Sequence, residues 1–139
     1  MSDTLIRAAF ETRLASWAST RSPVLPVAYE DVSFEPPSDG SAYLKAFLMP
    51  ASTGSEDLAG AHSVFLGVFQ VSIVTQAGQG RGIASRIADE LRELFPNNLG
   101  LQSGGLTVYV RTPLATAPSL AGDTTTTLPT SFQYRADTI

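Results

Sequence analysis

The stretch with the most obvious chemical potential is Gln76-Ala77-Gly78-Gln79-Gly80-Arg81-Gly82-Ile83-Ala84. It follows a strand-like run and opens a helix-like one. Such a turn can offer backbone N–H groups and the positive end of a helix to a phosphate. No Gly-Lys-Ser/Thr follows, so it is not a P-loop, and the flanking strands do not form the βαβ unit that a dinucleotide fingerprint needs. The plainer reading is a flexible strand-to-helix connection in which glycine supplies positive φ. His62 is the one imidazole. It can act as a general base, but it sits beside Ser63 in a loop with no acid at fixed spacing, so a surface histidine is expected. Asp89, Glu90 and Glu93 lie opposite an apolar helical stripe and read as a solvated face. Glu30, Asp31 and Glu35 supply too few oxygens at defined spacing for a divalent cation. Phe65, Phe69, Phe132 and Tyr134 lie on strands without interleaved Arg or Lys, which favours core aromatics over a base-stacking platform. No catalytic, cofactor-binding or metal-ligating residue emerges from these patterns.

Composition narrows the functional classes further. The chain has 139 residues, 9 Lys+Arg against 13 Asp+Glu, one His and no Cys. Without Cys there are no disulfides, thiol nucleophiles or Cys-ligated zinc, and a single His gives no imidazole cluster. A net charge of −4 with a pI near 4.8 argues against gripping nucleic acid, which needs clustered Lys and Arg. With 43% hydrophobic and 16% charged residues the chain is expected to fold, and so low a charge content suits a surface that meets other protein. The length suits a single domain spanning 1–139. The longest apolar stretch, Val64 to Phe69, is far short of a bilayer span of about 20 residues, and no signal-peptide core is visible. A soluble protein made in a cytoplasm, with no membrane partner, is the expectation.

The elements that must position these residues alternate in type. Ile6, Phe10, Leu14 and Trp17 share one face and predict a helix over Asp3–Ala18 with Trp17 in the core. Val24–Val32 reads as an edge strand interrupted by Pro26, and Glu35-Pro36-Pro37-Ser38-Asp39-Gly40 as a turn. Ala42–Met49 is a second strand closed by Pro50, followed by a small-residue loop over 50–63. Val64–Thr75 is the strongest strand, with Phe65, Phe69, Val71 and Ile73 on one face and Gln70 and Ser72 on the other. Ile83, Ile87, Leu91 and Leu94 mark a second amphipathic helix ending at Phe95-Pro96. Leu99–Gln102 and Leu106–Thr112 form a hairpin around Ser103-Gly104-Gly105. A second long loop over 113–127 precedes a last strand, Leu128–Ala136. The class expected is α+β: two helices on one mostly antiparallel, mixed sheet in the order α-β-β-β-α-β-β-β.

Two resemblances bear on function. The turn at Gln76, Gly78, Gly80 and Gly82 partly resembles the pyrophosphate-binding turn of the GNAT acyltransferases, which implies an acyl-CoA-dependent acetyltransferase as an alternative reading. A broader resemblance covers Ile6 to Asp137. Pro26-Val27-Ala28-Tyr29-Glu30-Asp31-Val32-Ser33-Phe34-Glu35-Pro36-Pro37 and Ala42-Tyr43-Leu44-Lys45-Ala46-Phe47-Leu48-Met49-Pro50-Ala51 carry it. So do Gly67-Val68-Phe69-Gln70-Val71, the Gly80 turn, Ala88-Asp89 with Leu94-Phe95, Gly105-Leu106-Thr107-Val108 and Leu128-Pro129-Thr130-Ser131-Phe132-Gln133-Tyr134-Arg135-Ala136-Asp137. In order and spacing these pieces resemble the tail terminator proteins of long-tailed bacteriophages, the lambda-like and Mu-like small tail proteins. Asp31 is a departure, standing where Asn is more usual.

That resemblance implies a structural virion protein and no enzyme. It implies a homohexameric ring that caps the tail tube, stops its polymerisation and offers a joining face to the head-completion or stopper protein of the neck. DNA would pass the lumen without specific binding, and six copies at −4 each would help it slide past. No cofactor is implied. The contact residues expected are Ser52, Glu56 and Asp57 in the first long loop, Asp123 and Thr124 in the second, and Arg81 beside the glycine-rich turn.

Overall fold

The computed structural model describes residues 2–55, 63–78 and 81–138. Helix α1 (Ser2–Thr20) and helix α2 (Gly82–Leu94) pack on the same face of an eight-stranded sheet. The strands are β1 (Val27–Ala28), β2 (Tyr43–Ser55), β3 (Ser63–Gln76), β4 (Gly100–Ser103), β5 (Leu106–Val110), β6 (Ala115–Thr116), β7 (Leu120–Ala121) and β8 (Thr125–Thr138). The sheet order is β1-β2-β3-β8-β5-β4, with β6 and β7 also paired to β8. Among the described strands only β1 and β2 run parallel. This is the mixed, two-layer α+β plan expected.

The core follows from two periodicities. In α1, Ile6, Phe10, Leu14 and Ala18 recur every four residues and are buried. Across the sheet, Leu48, Phe69 and Phe132 align in one row and Ala46, Val71 and Thr130 in the next, so alternate residues of β2, β3 and β8 face the helices. Phe10, Phe69, Phe95 and Phe132 meet at the centre, with ring centroids 5.0 to 6.0 Å apart. Thr130 is buried there without penalty because its hydroxyl donates to the Val71 carbonyl at 2.6 Å.

Several boundaries differ from the sequence-based expectation, each for a physical reason. The strand expected over Val24–Val32 shrinks to Val27–Ala28, paired with Leu44–Lys45. Pro26 has no N–H to give, and the chain then turns at Asp31, whose φ is 58°. Asn, Asp and Gly tolerate that left-handed region best, so Asp31 suits the turn as the Asn expected there would. Pro50 does not end β2: the strand passes it through a bulge between Pro50 and Ser52 and runs on to Ser55. A missing N–H at Pro50 costs little, because β1 pairs with β2 only at Leu44 and Lys45. Of the loop expected over 50–63, residues 50–55 are therefore strand and Ser63 opens β3, while 56–62 lie outside the described residues.

The loop expected over 113–127 is likewise partly strand. Ala115–Thr116 pairs with Ser131 and Thr130, and Leu120–Ala121 pairs with Thr127 and Thr126. The reason lies in β8, which has β5 beside it only from Tyr134 to Thr138. The β6–β7 arm supplies partners to the remaining edge.

The second helix also turns slightly from its expected face. Ile83 is exposed, while Ala84, Ile87, Ala88 and Leu91 are buried. The small residues Ala84 and Ala88 turn toward the sheet and let α2 approach it closely, which leaves Ile83 on the outer side. Ser72, on the face of β3 opposite Phe69 and Val71 as expected, is buried together with Val74. At that end Phe34 packs on Tyr43 at 5.2 Å, and Pro36 and Pro37 approach Val74. Trp17 is half-buried against the core rather than inside it.

Candidate functional site

The glycine-rich turn carried the sharpest local signal in the sequence. Gln79 and Gly80 lie outside the described residues, as does His62. Gly78 has a φ of +87°, the conformation for which glycine was expected there. The strand entering the turn, β3, has antiparallel neighbours on both sides, so no βαβ unit surrounds it. Beside the start of α2 a cleft of about 490 Å³ is walled by the β6–β7 arm. Arg81 at its mouth donates to Ser119 Oγ at 3.1 Å, and Arg92 donates to the Leu114 carbonyl at 3.2 Å and to Asp89 at 2.9 Å. These arginines tie the arm to α2. Among the described residues no three carboxylate or imidazole groups gather as a metal site would require.

The described members of the expected contact set, Ser52, Arg81, Asp123 and Thr124, separate to the two ends of β3. Ser52 lies on β2 just past the bulge, opposite Leu66 near the start of β3. Glu56 and Asp57 lie outside the described residues. Asp123 and Thr124 are exposed in the turn between β7 and β8, where the Thr124 carbonyl accepts the Ala77 N–H at 3.0 Å. Arg81 is exposed at that same end. Ten residues of strand separate the two groups, roughly 33 Å at strand rise.

A polar cluster that sequence reasoning missed controls the open edge of the sheet. Glu30 Oε1 accepts from Arg7 at 2.7 Å and from the Leu48 N–H at 2.8 Å. The side chain thus takes over the edge of β2 where β1 has already ended. Arg7 also lies 3.6 Å from Glu11, whose Oε2 is buried with no hydrogen-bond partner among the described residues. The two carboxyls are pushed in opposite directions. The Arg7 hydrogen bond holds Glu30 below the usual carboxylate range, while burial raises Glu11. The sequence signals for Glu30 were its place in an expected edge strand interrupted by proline and its nearness to Asp31 and Glu35.

Opposite signs follow for stability. A depressed carboxyl stabilises the fold above its unfolded value and loses that contribution as pH falls through its folded value. Glu30→Gln is therefore expected to destabilise the protein at pH 7, with the deficit shrinking below about pH 4.5. A raised carboxyl opposes the fold once ionised, so Glu11→Gln is expected to stabilise it at pH 7 and to lose that advantage in acid. Urea denaturation of both variants across pH 3 to 7 checks the pair; shifts of the same sign would refute the assignment.

Comparison with known proteins now decides the family. The sequence model of the phage tail terminator protein family matches residues 5–134. The chain belongs to the phage tail terminator family. A solved structure known only by a sequence identifier is 49% identical, covering 98% of this chain and 96% of its own, with a TM-score of 0.83. No curated protein matches the chain. Membership makes this a phage tail component, a structural protein of the virion whose contacts are with other tail or head proteins. No helix among the described residues is long and apolar enough to cross a membrane. The acyltransferase resemblance is confined to the Gly78–Gly82 turn, whereas the terminator family accounts for nearly the whole chain.

Proposed function

We propose that this tail terminator works as one domain in a homohexameric ring that caps the tail tube, halts its polymerisation and presents a joining face to the head-completion protein of the neck. The family match over residues 5–134 carries this reading. The distribution of contact residues supports it. A cap must hold the tube on one side and the neck on the other. Ser52 pairs opposite Leu66 toward one end of β3, and Arg81, Asp123 and Thr124 lie at the opposite end. The net charge of −4 per copy suits a lumen through which DNA slides without binding. Assembly takes place in the host cytoplasm, and the function needs no cofactor.

Purified tail tubes viewed by electron microscopy, with and without the protein, test this. Tubes carrying the protein are expected to show a plug at one end and to stop lengthening when more tube subunit is added. Tubes that continue to grow overturn the capping role. Removing residues 56–62 or 117–122 is expected to abolish either capping or head joining; retention of both would remove the loops from the contact set.

A further inference from the structure

We propose that the groove between α1 and β4 is the seat for the Tyr29–Glu35 turn of a second copy of this chain, so that neighbouring copies pack head to tail. The inference rests on the ring reading above and names the surfaces that would close it.

The groove has a volume of about 630 Å³. Small α1 residues, among them Ala9, Thr12 and Ser16, form one wall and Leu101 of β4 the other, with Trp17 half-buried beside them. Among the described residues Arg13 is its only charged lining residue. Its Nε donates to the Leu94 carbonyl at 2.8 Å, and it forms no ion pair with any described residue. The guanidinium therefore stands in an otherwise uncharged groove with its terminal nitrogens unmatched by a carboxylate.

The turn is the complementary object. Val32 is 60% exposed at its tip, an apolar knob flanked by the exposed carboxylates of Asp31 and Glu35. Neither acid pairs with a described residue. The knob is held ready rather than loose: Asp31 takes the left-handed φ, the Val32 N–H donates to the Tyr29 carbonyl at 3.3 Å, and Glu30 is anchored to Arg7 and Leu48. Such preorganisation lowers the ordering cost of association. A small tip with acidic flanks matches a groove of small and apolar side chains whose one charge is an arginine, and charge complementarity of this kind sets orientation as well as partner choice.

Placement makes the second occupant another copy. The turn follows β1 at one edge of the sheet, and the groove borders β4 at the other. Helix α1 lies between them, giving Arg7 to the turn and Arg13 to the groove. Two different surfaces on opposite sides of one protomer make a heterologous contact, the kind that closes into a ring or continues as a filament. Edge-to-edge strand pairing is disfavoured on the β1 side, because Glu30 already occupies the Leu48 N–H and Pro50 has none. A side-chain knob is the contact left open there.

The absence of native Cys permits a direct test with the full chain. Val32→Cys and Gln102→Cys chains, Gln102 lining the groove, are mixed in equal amounts with purified tail tubes and mildly oxidised. The expected product is a disulfide dimer containing one of each chain, at least tenfold over either homodimer. A chain carrying both substitutions is expected to give a ladder ending in a closed multimer. Val32→Asp, at an exposed position that leaves the fold intact, is expected to cut ring formation at least tenfold. Capped tubes with no Val32–Gln102 bond, or homodimers as abundant as the mixed dimer, overturn this contact and leave the capping role standing. Absence of both rings and capped tubes overturns the two together.

Discussion

Phe10→Ala is expected to lower the unfolding free energy by about 3–5 kcal/mol, the usual range for emptying a buried aromatic site. Phe10 is fully buried on α1. Its ring stacks on Phe69 at 5.0 Å and meets Phe132 at 5.2 Å, Tyr134 at 5.7 Å and Phe95 at 6.0 Å. Truncation leaves a hole bordered by four rings drawn from β3, β8 and the end of α2. Rings of that size, fixed on separate elements, cannot all move inward to fill it. A domain of this size has only about 5–15 kcal/mol in total, so a large share of its stability goes with one side chain. Denaturant unfolding measures the shift in midpoint. Phe10→Leu keeps most of the volume and is expected to lose clearly less. A loss below about 1 kcal/mol for Phe10→Ala would show that the ring cluster is not the centre of the fold.

Gly67→Ala has the second largest expected effect, a loss of about 3 kcal/mol at the upper end of overpacking costs. Gly67 sits in the middle of β3 between Pro50 and Tyr134. A Cβ there would lie 2.7 Å from both the Met49 carbonyl oxygen and Tyr134 Cζ, and closer still to the Tyr134 hydroxyl. The carbonyl belongs to the ladder and cannot withdraw without breaking it. The tyrosine is walled in, being 1% exposed. Its hydroxyl has no hydrogen-bond partner among the described residues, and burial pushes its pKa up to about 12. Removing that hydroxyl deletes an unsatisfied polar group, so Tyr134→Phe alone is expected to be neutral or to stabilise by up to about 1 kcal/mol. In the double variant it relieves part of the clash and leaves the Met49 contact. A double-mutant cycle by urea denaturation is expected to give coupling on the order of 1 kcal/mol between the two sites. Full additivity would mean that Tyr134 is not what forbids a side chain at Gly67.

Much of the architecture was legible where periodicity reports burial. Ile6, Phe10 and Leu14 announced one face of α1, and the alternation of Phe69, Val71 and Ile73 announced the inner face of β3. The hairpin at Ser103-Gly104-Gly105 was legible because its turn needs special backbone, and Gly104 has a φ of +61°. The errors fall where another element intervenes. Small-residue and Thr-rich stretches carry no periodicity of their own. Nothing local distinguishes a loop from the β6–β7 arm that covers the edge of β8, or from the limb of β2 beyond Pro50. Ser72 and Val74 look solvated or exposed along β3 alone. Both are buried, and at Val74 the company comes from a segment more than thirty residues earlier, with Phe34 on the neighbouring Tyr43 and Pro36 and Pro37 beside Val74.

The candidate surfaces divide in the same way. Absence of Cys, a single His, few charges and an acidic balance are properties of the chain alone, as are the ordered segments that point to a tail terminator. They already direct attention from catalysis to contact. What the tertiary structure decided is which residues meet. Glu30 closes the edge of β2 because Arg7, twenty-three residues earlier, and the Leu48 N–H, eighteen residues later, converge on one oxygen. The Val32 knob and the Arg13 groove fall on opposite sides because sheet order, unlike strand order in the chain, puts β1 and β4 at opposite edges. Side-chain type and spacing act locally and are written in the sequence. Edge, groove and pairing depend on which distant strands become neighbours, and that follows from burying all the apolar faces at once.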